Sequence, residues 1–326
     1  MADLLRHKIA LVSGCTGQDG SYLSELLLEK GYFVVGLVRR SSTYNFQNIS
    51  HLFSNERFKV EYGDLTDQTS IDRIISDGNF DEVYNLGAMS FVPVSWKSAE
   101  YTMNVNALGP IRLLESIKKF SSNTKYYQAS TSEMFGKVIE TPQNEATPFY
   151  PRSPYGVSKV AAHWATVNYR ESYDMFASCG ILFNHESSRR GVEFVTRKIT
   201  NGVARIKKGL DSKLYLGNLD SKRDWGHSRD YVMAMYLMLQ HDKPDNFVVG
   251  MNSTQTVREF CRIAFERAGL NYKDHVEVDT RFYRPAEVDI LLSDATKARE
   301  VLGWKPEYSF EDLVNEMVDY DLRVVK

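Results

Sequence analysis

The sequence predicts an α/β fold: a doubly wound parallel sheet in the first half, followed by a smaller mixed α/β domain. Three observations carry this. Short apolar runs alternate with longer amphipathic stretches through most of the first half, the pattern of strand-helix units on a parallel sheet. A glycine-rich loop follows the first apolar run and opens a helical stretch. After about Asn184 the alternation gives way to basic and glycine-containing segments mixed with further helical patterns, so the units are expected at 1–183 and 184–326, with the chain crossing between them.

The strands expected are Ile9 to Ser13, Phe33 to Val38, Phe58 to Tyr62, Glu82 to Leu86, Lys125 to Ala129 and Phe176 to Leu182. Between them Ser21 to Lys30, Thr69 to Asp77, Glu100 to Phe120 and Tyr155 to Tyr173 read as helices, and later Val257 to Ala268 and Phe310 to Tyr320 do so. No internal repeat, low-complexity tract or proline-rich linker interrupts the chain, so the two parts are expected to pack together with the site between them.

A chain of 326 residues can bury a large core, and 43% hydrophobic with 25% charged residues is an ordinary globular balance. The net charge of −2 provides no long-range field for nucleic acid or an acidic membrane, so any anion must be held by local groups. Cys15, Cys179 and Cys261 lie far apart with no CxxC spacing, which argues against a disulfide framework and a zinc site and suits a reducing compartment. No apolar run approaches the roughly 20 residues that span a bilayer, and the N-terminus runs straight into an apolar strand. A cytoplasmic protein, neither secreted nor membrane-bound and without a metal, is expected.

Gly14, Gly17 and Gly20 give the spacing GxxGxxG between a strand and a helix, in Gly14-Cys15-Thr16-Gly17-Gln18-Asp19-Gly20. The first glycine suits the tight turn, the second lets backbone approach a pyrophosphate, and the third permits close helix-strand packing, the Rossmann arrangement for a dinucleotide. At the end of the second strand stands Arg39, followed by Arg40, Ser41 and Ser42. A guanidinium there suits the 2′-phosphate of NADP, where an acidic residue would bind the ribose diol of NAD; the alternative is a solvated basic turn. Asp64 and Leu65 after the third strand, and Leu86, Gly87 and Ala88 after the fourth, sit where loops flank the adenine and the ribose or pyrophosphate. Asp64 equally suits the cap of the helix beginning after Thr66.

The strongest signal is Ser153-Pro154-Tyr155-Gly156-Val157-Ser158-Lys159. Ser153 suits an N-cap and Pro154 the first helical position, so Tyr155 and Lys159 fall four apart on one helix face. A free tyrosine is a poor base at neutrality, but an adjacent ammonium and an oxidised nicotinamide both favour the phenolate, which can then take the proton of an alcohol as hydride leaves the same carbon. A functionless surface pair is the alternative. After the fifth strand come Thr131, whose hydroxyl can hydrogen-bond a sugar oxygen, and Glu133, whose carboxylate can remove a proton beside a carbonyl. Alcohol oxidation alone has no use for this acid.

With these residues the chain resembles the extended short-chain dehydrogenase/reductase superfamily and, within it, the GDP-mannose 4,6-dehydratases, over essentially the whole length. The most specific stretches are Gly14 to Leu23, Ser130 to Glu133, Asn184 to Gly191, Leu216 to Asp220, Lys222 to His227 and Arg284 to Asp289. The resemblance makes Thr131, Glu133, Tyr155 and Lys159 catalytic. It implies NADP held by Gly14, Thr16, Gly17, Gln18, Asp19, Gly20, Arg39, Asp64, Leu65, Leu86, Ala88, Ser90, Tyr101, Tyr155, Lys159, His185 and Arg190, and the GDP-sugar by Ser90, Asn184, Lys198, Arg223, Arg284 and Glu287. For the basic residues, a solvated face or an intramolecular ion pair is the competing role. Ser188 and Ser293 depart from the family pattern, which has proline and glycine there.

The resemblance further implies GDP-mannose as substrate, with GDP-4-dehydro-6-deoxy-D-mannose and water as products that feed 6-deoxyhexose synthesis such as that of fucose or rhamnose. In the implied sequence Tyr155 deprotonates the C4 hydroxyl as hydride leaves C4, Glu133 removes the C5 proton and helps the C6 hydroxyl leave, and hydride returns to C6. It implies a homo-dimer or homo-tetramer, paired through helices within Glu100 to Phe120 and Tyr155 to Tyr173, with the loop Arg40 to Asn48 directed at a neighbour's cofactor. Rival readings are another nucleotide-sugar dehydratase, a 4-epimerase, and a catalytically dead NADP-sensing protein.

Overall fold

The computed structural model describes residues 7–282 and 290–326. The first run of elements is β1 (Ile9–Ser13), α1 (Gln18–Glu29), β2 (Phe33–Val38), β3 (Phe58–Tyr62), α2 (Gln68–Gly78), β4 (Glu82–Asn85), α3 (Val92–Ser95), α4 (Ala99–Met103), α5 (Gly109–Phe120), β5 (Lys125–Thr131), α6 (Pro154–Tyr173) and β6 (Ala177–Leu182). The second is β7 (Asn184–Glu186), α7 (Val195–Lys207), β8 (Leu214–Leu216), β9 (Lys222–Arg223), β10 (Trp225–His227), α8 (Ser228–Gln240), β11 (Asn246–Val249), β12 (Gln255–Thr256), α9 (Val257–Arg267), α10 (Tyr272–His275), β13 (Val276–Val278), β14 (Ile290–Leu291), α11 (Thr296–Leu302) and α12 (Phe310–Val324).

Seven parallel strands form the main sheet in the order β3-β2-β1-β4-β5-β6-β11. The order reverses between β1 and β4, so the loops leaving their carboxyl ends diverge and open the crevice where ligands bind in such sheets. The seventh strand comes from the second half: β11 pairs with β6 from Asn246↔Cys179 to Val249↔Leu182, and α8 packs on α1. A cut at residue 183 would therefore remove an edge strand and a covering helix from the sheet.

Alternate residues of β1 enter opposite cores, as the two-residue period of a strand requires. Ala10 and Val12 join Tyr84, Tyr127, Met235 and Phe247 on one face, while Leu11 joins Val35, Val83, Leu114 and Tyr126 on the other. A third core of Val203, Leu216, Trp225, Phe260 and Met317 lies among α7, α9 and α12 and holds the second unit together. That unit carries short sheets, β10-β7, β12-β9-β14 and β13-β8. Among the described residues no helix is long and apolar enough to cross a membrane.

Element limits shift by a residue or two in β4, β5 and β6, and local readings change elsewhere. The stretch expected as one helix from Glu100 to Phe120 is α4, a π-helical segment Asn104–Leu108, and α5. Pro110 has no N–H for the carbonyl four residues back, and Gly109 lies so close to Leu65 that a Cβ would stand 3.0 Å from the Leu65 Cβ. The cap of α2 is Asp67, whose carboxylate accepts from the Thr69 and Ser70 N–H groups; Asp64 accepts instead from the Thr66 N–H at 2.9 Å and its hydroxyl at 2.8 Å. Helix α1 starts at Gln18, not Ser21, because Gly17 takes an extended N-cap conformation and places Gln18, Asp19 and Gly20 in the first turn.

Candidate active site

The turn after β1 is built on Gly14, at φ +70°, where a Cβ would stand 3.0 Å from the Gly87 N and carry a side chain in the disfavoured left-handed region. Gly17 N–H closes the turn on the Gly14 carbonyl at 2.9 Å. A Cβ at Gly20 would fall 2.2 Å from that same carbonyl, so this glycine lets α1 sit directly on the loop. Ser13 fastens the loop after β4: its hydroxyl accepts from the Leu86 and Gly87 N–H groups and donates to Asn85. Leu86, Ala88 and the exposed Ser90 thus line one wall of the crevice at the sheet's reversal, with Leu65 buried beneath Gly87. Asp64 and Thr16 lie at intermediate depth on neighbouring loops. At the outer edge Arg39 and Tyr101 meet, with the guanidinium donating to the phenol at 3.4 Å.

The carboxyl end of β5 and the start of α6 form the other wall. Strand β5 runs two residues further than expected, so Thr131 is its last residue, paired with Leu182, and caps the short turn Ser132–Met134 by accepting from the Glu133 N–H. Ser153 caps α6 by accepting from the Gly156 N–H at 3.0 Å, with Pro154 in its first turn. Gly156 decides how near these walls come, since a Cβ there would stand 2.9 Å from the Glu133 carbonyl. The Tyr155 phenol feels the Thr131 hydroxyl, which favours its charged form, and the charge of Glu133, which opposes it. Lys159 Nζ lies 5.9 Å from the centre of the Tyr155 ring and donates to the Ala129 carbonyl at 2.9 Å.

Burial governs the protonation of this pair. It pushes the Tyr155 phenol up to about 12 against the opposing Thr131 hydroxyl, with Glu133 pushing further up. It pulls the Lys159 ammonium down to about 8. The expectation that an adjacent ammonium favours the phenolate is thus corrected for the protein alone: Lys159 stands off the phenol and desolvation dominates both groups.

Gln18 and Asp19 link the glycine loop to the second unit. Asp19 accepts from His185 Nε2 at 2.8 Å and from the Ser228 hydroxyl at 2.6 Å, while the Gln18 amide donates to the His185 carbonyl and accepts from Ser187. Burial alone would raise the Asp19 carboxyl, but attraction and hydrogen bonding from His185 outweigh it and hold the carboxyl well below the usual range. Burial conversely disfavours the His185 cation and Asp19 reverses this, so His185 titrates above its ordinary value. His185 also stacks on Tyr231, with ring centres 4.5 Å apart. Arg190 lies 3.6 Å over the Phe194 ring, and its Nε is 3.1 Å from Glu186 without the alignment of a hydrogen bond.

The residues expected on the substrate are spread over separate elements. Asn184 begins β7, and its Oδ1 is buried with no hydrogen-bond partner among the described residues. Lys198 on α7 stands 3.4 Å over the Phe282 ring, its ammonium lowered by burial against the pull of Asp279. Arg223 is buried on β9, donating to the Lys222 carbonyl at 2.8 Å, between β12 and β14. Arg284 and Glu287 lie outside the described residues.

Sequence reasoning missed Asn106. From the π-helical segment its amide accepts from the Met89 N–H, donates to the Met89 carbonyl and donates to Ser158, which itself bonds the Tyr155 carbonyl. One buried side chain thereby ties the loop after β4 to the helix carrying Tyr155. An asparagine amid an apolar helical run, followed by Gly109-Pro110, was the available signal.

Over residues 11–317 the chain matches the family model described as GDP-mannose 4,6 dehydratase. The chain belongs to the GDP-mannose 4,6-dehydratase family. It is 55% identical over 329 residues to GDP-mannose 4,6 dehydratase 1 of Arabidopsis thaliana, across 98% of this chain and 91% of that one. The GDP-mannose 4,6 dehydratase of Homo sapiens is 50% identical, across 98% and 92%. Among solved structures, UDP-glucose 4-epimerase of Thermotoga maritima superposes with a TM-score of 0.87 at 24% identity, covering 98% of this chain and 100% of that one. The dTDP-glucose 4,6-dehydratase of Bacillus anthracis, in complex with NAD, gives 0.86 at 22%, covering 97% of both. These two likenesses establish the fold alone. In this GDP-mannose 4,6-dehydratase family member the two departing serines are both satisfied. Ser293 is buried, donating to Asp224 at 2.5 Å and accepting from the Asn252 N–H, and Ser188 donates to Glu316 at 3.4 Å.

Proposed function

We propose that the chain is a hydro-lyase converting GDP-α-D-mannose to GDP-4-dehydro-6-deoxy-α-D-mannose and water, with NADP as a cofactor that ends each cycle as it began. The observation that carries this reading is the carboxylate of Glu133 beside Tyr155: oxidation of an alcohol needs the tyrosine, and only a subsequent elimination needs the acid. Family membership with relatives named for this reaction supports it.

The residues fit a dinucleotide. The glycine turn, whose Gly14 and Gly20 let the loop pack directly on β4 and α1, ends at the N-terminus of α1, where backbone N–H groups suit a pyrophosphate. Arg39 at the edge suits a 2′-phosphate, and the orphaned Asn184 Oδ1 suits a ligand N–H or O–H. When bound, the nicotinamide would accept hydride from C4 and return it to C6. Tyr155 Oη takes the C4 hydroxyl proton, helped by the Thr131 hydroxyl, which favours the phenolate. Glu133 takes the C5 proton once the C4 ketone has acidified it and delivers a proton to the departing C6 hydroxyl. The proton held by Tyr155 is then available to C5, so the balance is loss of one water. Arg223 and Lys198 offer cations to the diphosphate.

Incubation with GDP-mannose and mass detection of a product lighter by one water tests the reading. A product of unchanged mass would favour a 4-epimerase, and turnover of a different nucleotide sugar alone would reassign the substrate. The same proposal includes a cytoplasmic homo-oligomer. Exposed Val157, Trp164 and Tyr173 on α6 offer apolar area for pairing, to be tested by sedimentation.

A further inference from the structure

Contacts of two kinds join the units across the crevice. One is polar, made where Asp19 of the glycine loop accepts from His185 and Ser228. The other is aromatic: the Phe91 and Phe194 rings meet edge to face, with centres 5.2 Å apart and planes at 69°. Phe91 follows Ser90 on the loop after β4 and stands at the N-cap of α3, while Phe194 stands at the N-cap of α7 in the second unit. The bases of both rings are braced. Asn106 holds Met89 by its N–H and its carbonyl, and Arg197, paired with Asp321, donates to the Ser188 and Arg190 carbonyls. The rings themselves are half-buried. The Arg190 guanidinium lies 3.6 Å over the Phe194 ring, and the Tyr155 phenol feels its charge, so the aromatic contact stands beside the reaction centre.

We propose that Phe91 and Phe194 form a clasp that keeps the oxidised sugar in the crevice until hydride has returned to it, an inference that rests on the dehydratase reading above. A phenyl ring has no proton to give or take, so the role is containment. The proposed cycle needs it more than a simple oxidation does. The C4 ketone is an intermediate, and its escape would end the cycle half-way. In that case the C4–H and O–H bonds are broken, the hydride stays on the cofactor, the proton passes through Tyr155 to solvent, and a sugar nucleotide lighter by two hydrogens leaves. Closing an active site excludes water and commits the substrate. An apolar contact between braced bases suits that task, because an aromatic pair is attractive enough to close the seam and weak enough to let product out.

The test compares the unchanged NADP-loaded chain with Phe91→Ala, Phe194→Ala and the double variant during turnover of GDP-mannose, by mass detection of the released sugar nucleotides. In each single variant the fraction lighter by two hydrogens should rise about threefold to tenfold, the worth of one aromatic pair, with reduced cofactor stranded on the protein in equal amount. The double variant should leak no more than either single one, because each removes the same contact. Phe91→Leu, which keeps apolar volume, should leak less than Phe91→Ala. A second readout needs no turnover: acrylamide should quench the fluorescence of bound NADPH more strongly in both single variants than in the parent. If the unchanged chain releases no water from GDP-mannose, the dehydratase reading fails and the clasp is judged by quenching alone. Parent-like release or parent-like quenching in both single variants, or a leak in the double variant equal to the product of the two single effects, would overturn the clasp.

Discussion

The wall made by β5 and α6 and the wall made by the second unit are put together in opposite ways. In the first, Thr131, Glu133, Tyr155 and Lys159 come from one strand end and one helix start, and Lys159 and Tyr155 are buried. In the second, Asn184, Lys198 and Arg223 stand on three elements from different small sheets and helices, and their cations rest on a ring or a carbonyl. The contrast teaches that the proposed proton chemistry would rest on dry, short-range geometry, whereas the proposed hold on a charged sugar nucleotide would rest on how the second unit is docked.

The largest effect should come from the dry wall. Tyr155→Phe is expected to lower turnover of GDP-mannose by about 10²–10⁴-fold, since it removes the proton acceptor, with cofactor binding retained in a fluorescence titration. Equal loss from Arg223→Ala would erase the distinction between the two walls. Glu133→Gln should lose water release by a comparable factor of about 10²–10⁴ yet still oxidise C4, so reduced cofactor should build up on the protein. With the unchanged protein, deuterium placed at C4 of mannose should be found at C6 of the product; its loss to solvent would remove the elimination role from Glu133.

On the second wall, Arg223→Ala should raise KM for GDP-mannose about 10–100-fold, the worth of a charge-assisted hydrogen bond, with cofactor affinity unchanged. A drop in melting temperature without a KM change would make Arg223 a structural residue of β9 instead.

A smaller effect concerns stability. The Lys159 ammonium is depressed from 10.5 to about 8, so between those values the unfolded chain binds the extra proton and stability from this group rises with pH. That contribution is lost as pH falls through about 8. Tyr155 is raised from 10.0 to about 12, and its contribution, full below pH 10.0, is lost as pH climbs through that window. Lys159→Met should accordingly stabilise the fold at pH 7 by on the order of 1–3 kcal/mol and flatten the rise between pH 8 and pH 10 in chemical denaturation. An unchanged slope would show that Lys159 is better solvated than its position implies.

The smallest effect belongs to the exposed edge. Arg39→Ala should weaken NADP about tenfold and leave NAD unchanged, because a solvated guanidinium-phosphate contact contributes little more than one charge-assisted hydrogen bond.

Local pattern determined a good part of this protein. The limits of β1, β2 and β3, the glycine turn and the Ser153-Pro154 start of α6 were legible because each depends on residues within a few positions: β-branched runs, a left-handed turn, a cap. The family was legible as well, in motifs such as Asn184 to Gly191. Tertiary contact decided the rest. The π-helical segment leads into Gly109, which lies against Leu65, a neighbour 44 positions away, and Asn106 became a strut only when Met89 and Ser158 came to flank it. The charge state of Tyr155 and Lys159 was not written in their four-residue spacing, because desolvation is set by everything packed around them. Strand β11 joins the sheet from beyond residue 240 for the same reason: an edge completes itself with whatever strand the folded chain brings to it, and no local pattern names that partner.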